Sequence, residues 1–196
     1  MKRILCVVTA VCLCLIFTAA SAGGWSVPNN HASGTDSRNN TATVQAKLTE
    51  DLATRSGPST DYTGCGTYKM KGQYVTAVSR AYDNGGVMWV EVEFSYGGGY
   101  RRAWTGAKRL DISMSRLKSL PEQDAFTYIG YGTVNTNVAP RFGPDSIFAS
   151  YGDRDYRRGD RVAVIASEND YYMVESYHTD GKILRSWIPC SDVNLD

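Results

Sequence analysis

Apolar and polar positions alternate along this chain in two different ways. Ile4–Phe17 is a continuous apolar run behind Lys2 and Arg3, and it ends in the small residues Ala20-Ser21-Ala22. Residues 23–42 follow, rich in Gly, Asn and Ser and without periodicity, so they predict a flexible leader. From Thr43 onward the pattern is that of short strands. Gln73–Arg80 puts Val75 and Ala77 on one face, with Tyr74, Thr76 and Val78 on the other. Met88–Phe94 puts Val90, Val92 and Phe94 on one face and Trp89, Glu91 and Glu93 on the other. Ser95-Tyr96-Gly97-Gly98-Gly99-Tyr100 predicts a turn and Arg101–Thr105 the returning strand. A helical period appears only over Ser113–Leu120, a short linker closed by Pro121.

The first run has the make-up of a secretory signal peptide cleaved after Ala22. A membrane anchor needs about 20 predominantly apolar residues, more than this run supplies. Cys12 and Cys14 lie inside the run rather than at its end, which argues against lipid anchoring. Cleavage changes the composition. Of 21 Lys+Arg, Lys2 and Arg3 leave, so 19 basic residues face 20 acidic ones and the formal charge becomes −1. Of five Cys, only Cys65 and Cys190 remain. An even pair in an exported protein predicts a possible disulfide between Cys65 and Cys190. Near-neutral charge argues against nucleic acid as a partner, and no membrane span is expected in the mature chain.

Most informative is an internal repeat. Arg55-Ser56-Gly57-Pro58 recurs 86 positions later as Arg141-Phe142-Gly143-Pro144, followed after four residues by Tyr62 and Phe148. Lys71-Gly72-Gln73-Tyr74-Val75 matches Arg158-Gly159-Asp160-Arg161-Val162, and Trp89-Val90-Glu91-Val92 matches Tyr171-Tyr172-Met173-Val174. Ala103-Trp104-Thr105 matches Ser186-Trp187-Ile188. Two copies of one small β domain follow. Each is too short for an immunoglobulin-sized sandwich of ~100 residues, but long enough to close as a small barrel.

Leu52-x-x-Arg55-Ser-Gly-Pro-Ser, then Lys71-Gly72, Trp89-Val-Glu-Val92 and Ala103-Trp104-Thr105 resemble the bacterial Src homology 3 domain family. The resemblance implies an all-β protein of two tandem small Src homology 3-like barrels after a signal peptide and flexible leader. The spans are 1–22 for the signal peptide, 23–42 for the leader and 43–112 for the first barrel. The linker covers 113–124 and the second barrel 125–196. In the second copy Phe142 replaces the Ser before Gly-Pro, Tyr171 stands for the Trp, and Ser186 for the Gly of the family's pattern.

Catalytic chemistry finds little support. Cys65 sits between two glycines in a turn, and Cys190 lies in the segment before the last strand. His178 belongs to a hairpin tip, and His31 to the leader. Glu91 and Glu93 share a face, as paired carboxylates do in glycosidases, but the opposite face is apolar and the pair reads as solvated. Arg158-Gly159-Asp160 spells an adhesion tripeptide where the family carries a Lys-Gly-Asp turn, so the fold accounts for it. No catalytic residue, cofactor or metal is expected.

Aromatic residues remain as the binding candidates: Tyr62, Trp89, Tyr100, Tyr151, Tyr156 and Tyr171. Tyr100, Tyr151 and Tyr156 are expected to be exposed, and Trp104 and Trp187 to lie in the core. The resemblance implies a secreted or cell-envelope protein, not an enzyme, that recognises peptidoglycan peptides or surface proteins through its barrels. The alternative is an extracellular interaction or scaffold protein unrelated to wall binding.

Overall fold

The computed structural model describes residues 43–123, 128–152 and 154–196. The expected signal peptide and leader lie outside those residues. Within them the protein is all-β, with two sheets and one short α-helix. No helix among the described residues is long and apolar enough to cross a membrane.

The first sheet contains β1 (Val44–Leu48), β2 (Leu52–Arg55), β3 (Gly64–Tyr68), β4 (Tyr74–Tyr82), β5 (Met88–Tyr96), β6 (Gly99–Gly106) and β7 (Leu110–Asp111). Its spatial order is β3-β2-β6-β5-β4-β1-β7. The second contains β8 (Gly130–Val134), β9 (Arg161–Glu168), β10 (Tyr171–Tyr177), β11 (Ile183–Pro189) and β12 (Val193–Leu195), in the order β11-β10-β9-β8-β12. By the sequence repeat, β8 to β12 correspond to β1, β4, β5, β6 and β7. The five-strand order is therefore the same in both copies, and the β2–β3 hairpin of the first is reduced in the second to isolated antiparallel bridges, Val138 to Tyr156 and Arg141 to Ser150. Where β2 joins β6 through Arg55 opposite Trp104, the second copy keeps a single bridge from Arg141 to Trp187.

Strand alternation explains the two cores. Val44, Ala46, Leu48, Val75, Val90, Val92, Phe94 and Leu110 fill the first, and Val134, Val162, Val164, Val174, Leu184, Ile188 and Val193 the second. One bulge falls at the same place in both copies. Register slips between Ala77 and Ser79 in β4, and β9 likewise sets Val164 and Ala166 opposite consecutive residues of β10. Val78 and Ile165 are the extra residues, both buried. The matching turns also agree: Gly72 N–H bonds Leu48 O at 2.9 Å and Gly159 N–H bonds Val134 O at 2.8 Å. Both glycines hold positive φ, +82° and +98°, which explains the Gly within Arg158-Gly159-Asp160.

The segment between the sheets is not a free tether. Ser113 caps α1 (Met114–Lys118) by accepting from the Arg116 N–H, and Leu117 and Leu120 are buried in the first core. The chain then returns along β4: Arg80 N–H bonds Pro121 O at 2.9 Å and Gln123 N–H bonds Arg80 O at 2.8 Å.

Candidate functional site

The face that sequence reasoning assigned to solvent packs one copy against the other. Glu91 and Glu93 are 3% and 5% exposed, so the expectation of a wet carboxylate pair is overturned. The reason is a partner surface invisible to a single-strand pattern. Glu93 stands opposite Arg102 on β6, and Arg102 Nε donates to Glu93 Oε1 at 2.7 Å. Arg102 then crosses to the second copy, where its Nη1 and Nη2 donate to Glu168 at 2.9 and 3.3 Å. The repeat reproduces the cross-strand pair: Glu175 stands opposite Arg185, and Arg185 Nε donates to Glu175 Oε1 at 2.8 Å. Arg185 Nη2 and Tyr62 Oη from the first copy complete that cluster, at 3.1 Å from each other.

The contact is reciprocal. Tyr62 bridges Ile183 in parallel register and Phe148 bridges Tyr100 likewise. The Tyr62 ring lies 5.1 Å from the Arg185 guanidinium and the Phe148 ring 5.6 Å from that of Arg102. Each copy thus lays the aromatic after its Gly-Pro turn on the buried arginine of the other. The glycines allow this by close approach rather than by unusual φ. A Cβ on Gly57 would stand 2.1 Å from the Tyr62 ring, and one on Gly143 2.4 Å from Phe148.

Burial, the largest influence on Glu91, pushes its carboxyl above the ordinary range even though Arg102 and the Ser79 hydroxyl favour the anion. Ser79 Oγ and Gln123 Nε2 both donate to Glu91 Oε2 at 2.8 Å. Arg102 is pulled down by burial but raised by more through Glu93, Glu168 and Glu91, so it stays charged.

Among the six aromatic candidates, Tyr62 is inside this interface. Tyr156, expected at the surface, is buried with its hydroxyl 3.1 Å from both Ser176 and Ser186, and Tyr151 is half-buried, stacked on Phe142 at 3.9 Å with its hydroxyl donating to Arg185 O at 3.3 Å. Buried tyrosines need such polar partners, and these have them. Tyr100 is 50% exposed, while Tyr171 packs against the Ile165–Met173–Trp187 cluster. Trp104 and Trp187 are buried as expected, but on the face between the copies rather than inside either sheet.

Tyr156 borders a polar hollow of about 680 Å³, and Trp89 lines a more apolar groove of about 850 Å³. It opens on the first copy between the β2–β3 hairpin, the 83–87 turn and the short 3-10 turn Ala107–Arg109. Asp83 holds the indole: its Oδ2 accepts from Trp89 Nε1 at 3.0 Å while its Oδ1 accepts from Gly85 and Val87 N–H at 2.9 Å each. The bond from Trp89, chiefly, keeps the Asp83 carboxyl below its ordinary range. Gly64 and Gly66 thin one wall, and Gly106 lies directly opposite Trp89. Arg55, Lys108 and Arg109 line the rim, and Arg109 is paired with Glu50 at 3.1 Å. Sequence reasoning missed all of these but Trp89; the Gly64-Cys65-Gly66 pair and the Asp83-Asn84-Gly85 turn were the signals available.

Cys65 and Cys190 are free thiols, so the expected disulfide is absent. Their surroundings explain it. Cys65 lies in β3, 3.7 Å from the Tyr151 hydroxyl, and Cys190 in the 3-10 turn before β12. His178 lies in the β10–β11 hairpin turn, where its N–H bonds Lys182 O. No group of His, Cys, Asp and Glu among the described residues has the arrangement of a metal site. Comparison with protein-family models, with curated proteins and with solved structures finds no match.

Proposed function

We propose that this chain is a secreted, non-catalytic binding protein of two tandem barrels resembling bacterial Src homology 3 domains, and that the Trp89 groove takes extended peptides. The observation that carries this reading is the groove itself: an oriented indole, glycine walls and a rim carrying Arg55 and Lys108, with Arg109 beside them paired to Glu50 at 3.1 Å. Glycine walls let a ligand backbone come close, and a flat aromatic offers contact area at low entropy cost. A cationic rim favours peptides with free carboxylates. Cell-envelope peptides, or acidic segments of surface proteins, have that chemistry.

Sedimentation with purified cell-wall sacculi tests it. The protein is expected to co-sediment at low and moderate salt, and Trp89→Ala and Gly106→Leu are expected to release it. Gly106 has extended backbone angles and open space around its Cβ position, so the backbone accepts a side chain that reaches into the groove. Protein that stays in the supernatant with sacculi, and with protease-treatable surface proteins as well, overturns the reading.

A further inference from the structure

The first copy covers only part of the outer face of the second sheet. Beside Glu175 that face opens as a hollow of about 340 Å³, lined by Tyr128, Tyr131, Tyr177, Arg161, Ser176 and Ile183 among others. Tyr131 on β8 stands opposite Ala163, which stands opposite Glu175, so the three share one row across the sheet. Tyr177 closes β10 opposite Ile183. The Tyr128 and Tyr131 rings lie 6.1 Å apart at 21° to one another. The two rings stack on one another, too close together to leave a slot between them. Tyr131 is 56% exposed and Tyr177 84%, so neither ring is needed to fill a core.

Polar groups surround the rings, and their charges are already matched. Arg161 forks onto Asp196, Nη1 to Oδ1 at 2.9 Å and Nη2 to Oδ2 at 2.6 Å, and Nη1 also reaches Thr133 Oγ1 at 3.3 Å. These bonds use three of the five guanidinium N–H groups and leave donors toward solvent. Glu175 is paired with Arg185 and accepts from the Tyr128 hydroxyl at 3.2 Å on its other oxygen. The hollow therefore presents no net charge to select an ion. A cation over the rings would meet Arg161, and a proline-rich helix would find no cleft between the rings for its pyrrolidines.

We propose that this hollow binds an uncharged sugar ring of a glycan chain. A pyranose has a flat C–H face for the tyrosines and equatorial hydroxyls for the Arg161–Asp196 fork. The site lies on the second copy and does not depend on the peptide groove of the first.

Saturation-transfer NMR and calorimetry on the protein, with chitohexaose, cellohexaose and maltohexaose as probes, test the assignment. At least one neutral oligomer is expected to bind with transfer to its ring C–H protons. Tyr131→Ala and Tyr177→Ala are each expected to weaken it about tenfold or more, with circular dichroism and melting unchanged. Trp89→Ala is expected to leave it intact, so failure of the peptide reading and failure of this one are distinguishable. Absence of transfer to all three probes overturns the proposal. So does binding that survives both tyrosine changes, or displacement by a polyproline peptide or by an anionic oligosaccharide.

Discussion

Arg102 and Glu168 are 66 residues apart in the chain and meet through two near-parallel hydrogen bonds, 2.9 and 3.3 Å long, with both side chains almost wholly buried. That pair ties β6 of the first copy to β9 of the second. Its counterpart across the contact is Arg185, which takes Glu175 from its own copy and the Tyr62 hydroxyl from the other. Two charged clusters, each assembled from both halves, therefore lie where two separate domains would have presented their outer faces to water. Burying charge costs several kcal/mol per ion, and such pairs add little net stability over apolar residues. What they add is selectivity: a displaced interface would leave an arginine or a glutamate buried and unpaired.

Removing one member exposes that cost. Arg102→Met leaves Glu93 and Glu168 without their shared cation, and the loss expected is about 3–5 kcal/mol. Changing all three to apolar residues of similar volume is expected to recover much of it. Urea unfolding of the two variants measures both numbers. A single change costing less than about 1 kcal/mol would show that water reaches the cluster.

The same contact predicts how the protein unfolds. Trp89 and Trp104 report on the first copy, Trp187 on the second, and far-ultraviolet circular dichroism on both. Because Tyr62 and Phe148 each complete the other half, the probes are expected to move in one coincident transition. Two resolved transitions would mean that each half stands without the other.

Much of this was legible in the chain, and the unreadable part has a definite cause. The landmarks repeating from Arg55 to Trp104 and from Arg141 to Trp187 predict two equivalent units, and the structure gives both the same five-strand order. A period of two shows that Glu91 and Glu93 share a face, but not what covers that face. The missing signal was correlated charge: Glu93 with Arg102 in one copy and Glu175 with Arg185 in the other, at nearly equal spacing. Tyr151 and Tyr156 were misread for a related reason. Tyrosine suits a half-wet strand, yet its hydroxyl can equally be satisfied indoors, as Ser176 and Ser186 do for Tyr156.

The Gly-Pro turn supplies a sharper steric test. Gly57 and Gly143 are not among the glycines with positive φ, so alanine is acceptable to the backbone at both. The obstacle is the ring face at 2.1 and 2.4 Å from the added carbon. Gly57→Ala and Gly143→Ala are expected to destabilise by about 1–3 kcal/mol or more, the range for overpacked sites. Gly64→Ala, with open space around it, is expected to be near neutral. Thermal melts of the three variants make the comparison. Equal melting points would mean that the rings swing away freely.

The thiols should differ in reactivity. Burial, above all, pushes the Cys65 thiol up to about 11, so little of it is thiolate at pH 8. Cys190 is raised too, chiefly by burial. Both thiols are half-buried, so in protein lacking residues 1–22 a thiol reagent at pH 8 is expected to modify Cys190 faster than Cys65. Simultaneous fast labelling of both would contradict the Cys65–Tyr151 contact.

Glu91 gives the protein a pH dependence of known sign. Its folded-state affinity for protons is raised, chiefly by burial, so the folded chain holds a proton that the unfolded chain releases near pH 4.5. The stability linked to this group is fully present below that pH. It is lost progressively as pH rises toward and through the elevated folded value, because the buried carboxyl must then ionise beside Glu93. Glu91→Gln keeps an acceptor for Ser79 Oγ and Gln123 Nε2 and cannot ionise. The variant is therefore expected to match the parent below about pH 4.5 and to become the more stable of the two as pH rises. Urea midpoints from pH 4 to 9 measure the divergence. A gap that is constant with pH would show that Glu91 ionises as readily inside the protein as outside it, and would place water at the Ser79–Gln123 contact.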